Sequence, residues 1–398
     1  MAKFRRLEPC VTAAGLGAIC AAGAGADALE KATLGNADCL RPCDRLCDVG
    51  IGEWPVGAVP DGEWRRLFCR RGRNKDDPAF ALADEAMGEA MDRARGALSR
   101  IRRERVGLVL STTKANISAL EKAADGKGVR EAARRHIIPY ELAVALAERH
   151  GAKGGVRCVS AGCVSGLLAV REGAAAILRH EWDAAIVTGV DCLSGFIMLG
   201  FASLKALAPE GCRPFDRNRN GLSPGEGGGA IVLTRSEMTD APYGKILGWG
   251  SSNDANHITG PSRDGAGLAE AMRRALSCAG ITPRDVDYVH AHGTGTPYND
   301  AMESLAIRAV FGDDRIPVGS SKGMLGHTFG SAGVLEAITC MLALKKGILP
   351  GTPRLSDPDP IAPAGILREP RSAERARIML KIMTGFGGMN FAMVIGTA

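Results

Sequence analysis

Four side chains stand where chemistry is possible: a cysteine, two histidines and a lysine, each beside a glycine-rich turn. Cys163 lies in "SAGCVSG", His292 in "AHGTGTPYND", and Lys322 and His327 share "KGMLGHTFGSAG". The apolar stretch before Cys163 reads as a strand and the Ala-rich stretch after it as a helix. That puts the thiol at the positive end of a helix dipole, where its pKa is lowered and a thiolate nucleophile forms near neutrality. Gly162 and Gly166 let the backbone turn sharply there and let a substrate approach. A strand–Cys–helix turn alone does not separate a reactive thiol from a buried inert one.

The stretch "YVHAHGTGTPYND" (288–300) admits other readings. His290 and His292 share a strand face, as metal ligands would, but no second ligand pair with suitable spacing follows. The glycines suggest a phosphate cradle, but the Gly-Lys-Ser/Thr that grips phosphate is missing. His290 reads as a packing residue. A cysteine that takes an acyl group needs donors for the developing oxyanion, and forming a carbanion needs groups that polarise a second carbonyl. Cys163, His292, His327 and Lys322 together suit condensation better than proteolysis. His136, His150, His180 and His257 have no comparable setting and read as surface or structural.

The elements that must hold these residues alternate along the chain. Strands are expected over 106–113, 157–163, 183–191, 227–235, 243–252, 286–293, 316–323, 377–388 and 391–398. Helices are expected over 164–180, 265–280, 300–312 and 330–347. Such alternation predicts α/β layers with buried sheets. The helices at 164–180 and 330–347 are small and apolar on all sides, so both are expected between two sheets, one from each half of a duplication. Stretches 209–229 and 350–370 read as loops.

Composition narrows the class. The chain has 398 residues, 45% of them hydrophobic, with 52 glycines and a formal charge of +6. That charge is too small and too scattered for nucleic acid, but it suits a partner with an acidic surface. The 12 cysteines read as mostly reduced. Cys39, Cys43 and Cys47 are closely spaced, but a structural metal needs a fourth ligand and none is near in sequence. "VTAAGLGAICAAGAGA" imitates a signal peptide and also reads as a first buried strand; the second reading is preferred. No segment is apolar over enough residues to span a membrane.

The order and spacing of "AGCVSG", "AHGTGTPYND" and "SSKGMLGHTFGSAG" resemble the β-ketoacyl-(acyl-carrier-protein) synthases of the elongating, Cys-His-His type, in the thiolase superfamily. "RPFDRNRNGLSPGEGGGAIVL" (213–233) and "GFGGMN" (385–390) resemble that family too, so the similarity spans nearly the whole chain. The resemblance implies an α/β, thiolase-like fold: duplicated halves in five α-β-α-β-α layers, divided at 1–240 and 241–398. The first half would carry the nucleophile and dimer or cap insertions, the second both histidines.

It also implies roles. Cys163 would accept the acyl chain, with its own N–H and that of Phe386 forming the oxyanion hole. His292 and His327 would hold the malonyl thioester carbonyl. Lys322 would organise the catalytic site, with Asp300 and Glu303 as its acidic partners. Thr294 and Thr296 resemble residues that bind the carrier's pantetheine arm, and Phe386 resembles a gating aromatic. Glu336 matches a position that in some relatives helps hold a structural monovalent cation; no other metal is expected. No cofactor is expected beyond the phosphopantetheine of an acyl carrier protein. A basic rim for that acidic carrier would draw on Arg65, Arg66, Arg70, Arg71, Arg73 and Lys205.

The implied enzyme is cytoplasmic and homodimeric or heterodimeric, without nucleic acid or membrane partners. It elongates fatty acyl chains, or serves a specialised polyene or polyketide pathway. The divergent segment 111–136 and the "YND" after "GTGTP" keep the specialised pathway in view. A non-catalytic partner subunit would lack the nucleophile, and a thiolase would need a second cysteine in "TGFGGMNFAMVIG", which has none.

Overall fold

The computed structural model describes residues 11–50, 53–69, 75–312 and 315–398, apart from the side chains of residues 48 and 49. Ten strands form its frame: β1 (Val11–Cys20), β2 (Val106–Ser111), β3 (Val156–Val159), β4 (Ala184–Asp191), β5 (Gly227–Arg235), β6 (Gly244–Asn253), β7 (Tyr288–His290), β8 (Val318–Gly319), β9 (Ile378–Gly385) and β10 (Met389–Gly396). The helices that matter for the site are α1 (Pro78–Arg93), α2 (Pro139–His150), α3 (Ser165–Leu178), α4 (Gly195–Ser203), α5 (Ala266–Ala279), α6 (Pro297–Phe311) and α7 (Ala332–Lys346).

The strands follow the order β3-β2-β4-β5-β1-β6-β10-β9-β7-β8. In the first array β2 runs parallel to β3 and β4, while β5 is antiparallel to both β4 and β1. In the second, β7 runs parallel to β8 and β9, while β10 is antiparallel to both β9 and β6. The second array repeats the first in order and sense. The two were expected as separate sheets. Instead a short antiparallel pairing of Val11–Ala13 with Gly244–Ile246 joins them edge to edge.

Five layers result. Helices α1 and α2 cover the outer face of the first array, and α5 and α6 lie outside the second. Between the arrays lie α3 and α7, each touching strands of both. Sequence explains the placement. Every residue of α7 from Ala332 to Leu344 is buried, so the helix has no polar face to show to water. The two middle helices cross at glycines: a Cβ on Gly166 would lie 2.7 Å from the Gly333 backbone. Gly166 therefore serves helix contact, and the sequence reading that it admits substrate is corrected.

Two expected strands are shorter than the apolar runs implied. The run at 286–293 pairs only over Tyr288–His290, and that at 316–323 only over Val318–Gly319. Beyond them the chain leaves the sheet through Gly293, at φ 48°, and through a single helical turn at Lys322–Leu325. α6 begins at Pro297, earlier than expected, because proline is preorganised for the first helical position. "VTAAGLGAIC" forms the fully buried β1, at the junction of the arrays.

Candidate active site

Cys163 sits in the bend between β3 and α3. Gly162 makes the bend at φ 54°, and Ser165 Oγ fixes it by donating to Gly162 O (2.6 Å) and accepting from Ala161 N (2.8 Å). The β9–β10 turn, Gly385 to Gly388, packs against this bend. A Cβ on Gly385 would lie 3.4 Å from Cys163 N, and one on Gly162 would lie 3.9 Å from Phe386 N. The two amides of the expected oxyanion hole are thus neighbours.

The histidines reach the same point from the second array. His292 follows β7, and His327 follows the turn after β8. His327 Nε2 lies 3.0 Å from Cys163 Sγ, and the two imidazoles meet edge to face with centroids 5.1 Å apart. Segment 223–225 clamps His327 through its backbone: its N–H donates to Ser223 O (2.6 Å) and its carbonyl accepts from Gly225 N (2.7 Å).

Hydrogen bonds at the far ring nitrogens assign the tautomers. Phe329 N donates to His327 Nδ1 at 3.0 Å, and Lys322 Nζ lies 3.1 Å from His292 Nδ1. Both Nδ1 atoms are acceptors, so each neutral ring carries its proton on Nε2, facing the cysteine. Burial, reinforced by the Lys322 charge, holds both histidines well below the usual range. The site therefore presents two neutral N–H donors over a wide pH range. Among the described residues, Cys163, His292 and His327 are the one group with metal-ligand proximity, their ligand atoms lying within 4.8 Å. A metal needs the lone pair on Nε2, which these hydrogen bonds occupy with a proton, and Lys322 adds a repelling charge.

The thiol departs from expectation. Burial raises Cys163 to about 11, against the opposing pull of Lys322 and Lys114. Desolvation outweighs the two lysine charges, so the group favours the thiol over the thiolate.

Lys322 also departs. Its Nζ contacts His292 O (2.9 Å) and Glu336 Oε1 (2.7 Å), so its acidic partner is Glu336, not Asp300 or Glu303. Asp300 instead accepts from the N–H groups of Phe215, Thr294 and Gly295, stapling the "GTGTP" turn to the "RPFDRN" segment. Glu303 accepts from Gly293 N (3.0 Å) and Asn299 Nδ2 (3.2 Å). Burial and the neighbouring Asp300 charge raise Glu303 to about 8. The other Glu336 oxygen lies 2.7 Å from Lys381 Nζ. With an ammonium on each oxygen, Glu336 faces two positive charges where the resemblance implied a bound cation.

The sequence reading missed Lys381. It is a single lysine in the apolar strand "IMLKIMTG", fully buried. That pattern was the available signal, since a charge in a strand covered on both faces must have a partner. Lys114 was missed too. It is buried 3.4 Å from Asp191 and 4.0 Å above the Phe329 ring, which stacks on His327.

A cavity of about 470 Å³ opens beside the cysteine, lined by Cys163, His292, His327, Thr294, Thr296 and Phe386, among others. Thr294 and Thr296 share a hydroxyl hydrogen bond of 2.9 Å. His257 also lines the cavity, correcting the reading that gave it no functional setting. His290 stays in the core, its Nε2 2.8 Å from Ser321 Oγ.

Of the expected basic rim, Lys205 lines the cavity, and Arg65 and Arg66 belong to a helix (Asp61–Cys69) packed on α1. Arg66 is committed to Glu63 (2.7 Å) and Glu85 (3.1 Å). Arg70, Arg71 and Arg73 lie outside the described residues. Cys39, Cys43 and Cys47 do not share an environment: one is half-buried, one buried and one exposed.

Comparison with known proteins matches residues 13–239 to the β-ketoacyl synthase N-terminal domain and residues 243–356 to the C-terminal domain of the same name. The chain is 30% identical over 381 residues to the 3-oxoacyl-[acyl-carrier-protein] synthase 2 of Rhizobium meliloti, covering 89% of this chain and 88% of that one. It is 37% identical over 275 residues to a Streptomyces halstedii protein named "Putative polyketide beta-ketoacyl synthase 1". That match covers 66% of this chain and just under two thirds, 65%, of the relative. Among solved structures, the ishigamide ketosynthase/chain length factor superposes with a TM-score of 0.90 at 30% identity, over 98% of this chain and 99% of that one.

Proposed function

The chain belongs to the β-ketoacyl synthase family, and from that premise we propose that it catalyses decarboxylative Claisen condensation of an acyl thioester with a malonyl carrier thioester. The observation that carries this reading is the pair of neutral Nε2–H donors, His292 and His327, facing one cysteine.

The first half-reaction acylates Cys163. The thiol sulfur attacks the carrier thioester carbonyl, the carbonyl carbon–carrier sulfur bond breaks, and the proton lost by the thiol ends on the departing carrier thiolate. The Cys163 and Phe386 amides hold the intermediate's oxyanion. A thiol raised by burial is little ionised before substrate arrives, and the His327 Nε2–H then stabilises the sulfur anion.

In the second half-reaction the malonyl thioester oxygen accepts from both histidines. Carbon dioxide leaves with its C–C electrons passing into the thioester enolate. The enolate carbon attacks the acyl-Cys163 carbonyl, and collapse of that intermediate releases the Cys163 thiolate and a β-ketoacyl carrier two carbons longer. Two fixed donors act where the negative charge develops, with no base required. Lys322 touches no reacting atom and acts through His292, whose tautomer it fixes.

The acyl donor is carried by phosphopantetheine on an acyl carrier protein, the partner for which the Rhizobium relative is named. Thr294 and Thr296 line its path. The reading carries the expectation of a cytoplasmic enzyme; among the described residues no helix is long and apolar enough to cross a membrane. We read residues 1–240 and 241–398 as its two halves, supported by the repeated strand order. Exposed Leu120, Phe196 and Leu199, on two touching helices, support a dimer face. Fatty-acyl elongation is the primary reading. A ketosynthase working with a chain-length partner is the second, favoured by the likeness to the ishigamide complex.

Alanine variants test the roles. Cys163→Ala abolishes the acyl mass increment, whereas His292→Ala and His327→Ala keep it and lose about 10²–10³-fold in malonyl decarboxylation. An acyl increment surviving Cys163→Ala would mean that the nucleophile lies elsewhere.

A further inference from the structure

Lys381 lies one ion pair behind the machinery described above. Its ammonium is fully buried in β9 and has four close oxygens: Glu336 Oε2 (2.7 Å), Ile382 O (2.8 Å), Ala291 O (3.1 Å) and His290 O (3.4 Å). Glu336 Oε1 binds Lys322 Nζ, which in turn contacts His292 Nδ1 and His292 O. Two ammonium groups thus straddle one carboxylate and take successive carbonyls, Ala291 O and His292 O, at the end of β7.

A single lysine would suffice to neutralise Glu336, so charge balance does not account for the second. Burying an extra ammonium is costly unless its partners compensate it, and here four oxygens surround it. Two features show what the second ammonium supplies. It holds one carboxylate oxygen while Lys322 holds the other, so Glu336 stays aimed at Lys322. It also ties β9 to the carbonyl of the residue before His292. Without it, Glu336 Oε2, which is buried and has no hydrogen-bond partner, would lose its ion pair, and the carboxylate would be free to turn towards Lys322 with both oxygens. Lys322 would then be drawn off His292 Nδ1, and the imidazole would no longer be confined to the tautomer that donates from Nε2.

We propose that Lys381 is a positioning residue for the malonyl half-reaction, acting through Glu336 and Lys322 to keep the His292 proton on Nε2. The inference rests on the condensing-enzyme reading for its kinetic consequence, but its effect on His292 is independent of that reading. Lys381 has no direct part in acylation, because Cys163, Phe386 and His327 are held by other contacts.

The test uses the full chain with Lys381→Met, which keeps side-chain length, and Lys381→Gln, which keeps an N–H donor for the strand carbonyls but has no charge. Three quantities are measured: acylation of Cys163 by intact mass with an acyl carrier, carbon dioxide release from malonyl carrier, and the His292 tautomer by NMR of isotope-labelled histidine. The expected result is acylation kept, decarboxylation kcat lower by about tenfold or more with KM within about twofold, and a wild-type Nε2–H signature for His292 that becomes a mixture in the variants. A folded variant with unchanged kcat and unchanged tautomer overturns the proposal. So does parallel loss of both half-reactions, or failure of both variants to fold, since either makes Lys381 a general stability element. If the wild-type protein releases no carbon dioxide while the tautomer still changes, the condensing-enzyme reading fails and the positioning role stands.

Discussion

At the residue scale, the geometry assigns protons as well as positions. A histidine beside a cysteine can serve as its base, yet His292 and His327 each spend a lone pair on a donor behind the ring and show an N–H to the pocket. The thiol is correspondingly unactivated at rest. Alkylation of Cys163 by iodoacetamide is expected to accelerate steadily from pH 7 through pH 9, following a group at about 11. A plateau below pH 8 would show a preformed thiolate instead. The identity of these residues was legible in sequence because each sits beside a glycine turn with a recognisable neighbourhood. Their electrostatics were not. Helix-dipole reasoning argued for a lowered thiol pKa because sequence shows the helix start but not the desolvation around it. Likewise Asp300 and Glu303 are near Lys322 in motif order, but Glu336 is its partner in space.

At the element scale, the middle layer sets the site's precision. Cys163 lies two residues before α3 and Glu336 lies in α7, and the two helices touch backbone to backbone at Gly166 and Gly333. A methyl on Gly333 would come within 2.4 Å of Leu167 N, where nothing flexible can yield. Gly333→Ala is expected to lower stability by about 1–3 kcal/mol, seen as a lower urea midpoint, and to slow both half-reactions by shifting one helix relative to the other. A midpoint equal to wild type would mean that the helices do not pack this closely. The existence of both helices was legible from their all-round small and apolar faces, and their burial between sheets followed from the same pattern. The short β7 and β8 were not legible, since an apolar run does not announce where pairing stops. That limit falls at the turns that lift His292 and Lys322 out of the sheet.

At the scale of the whole molecule, buried titratable groups tie the site to stability. Folding holds His292 and His327 well below 6.5 and His290 at about 3. Below pH 6.5 the unfolded chain takes up protons that these folded histidines refuse, so stability falls as pH drops. Glu303, raised to about 8, acts in the opposite sense between pH 8 and 4.5, and Asp300, also raised by burial, acts with it, two groups against three. The urea midpoint should therefore be lower at pH 5 than at pH 7; an unchanged or higher midpoint would contradict three neutral buried histidines. The layered duplication was legible in the alternation of elements. The edge-to-edge joining of the arrays was not, because it depends on three residues of β1 finding three of β6. The central claim is that one cysteine and two N–H donors perform acylation and decarboxylative condensation in sequence. It is tested most directly by following the mass of the Cys163 peptide: first with an acyl carrier alone, then after malonyl carrier is added. An acyl increment is expected on Cys163, disappearing with release of carbon dioxide and appearance of a β-ketoacyl carrier. An increment on another residue, or one that persists after malonyl carrier is added, would contradict it.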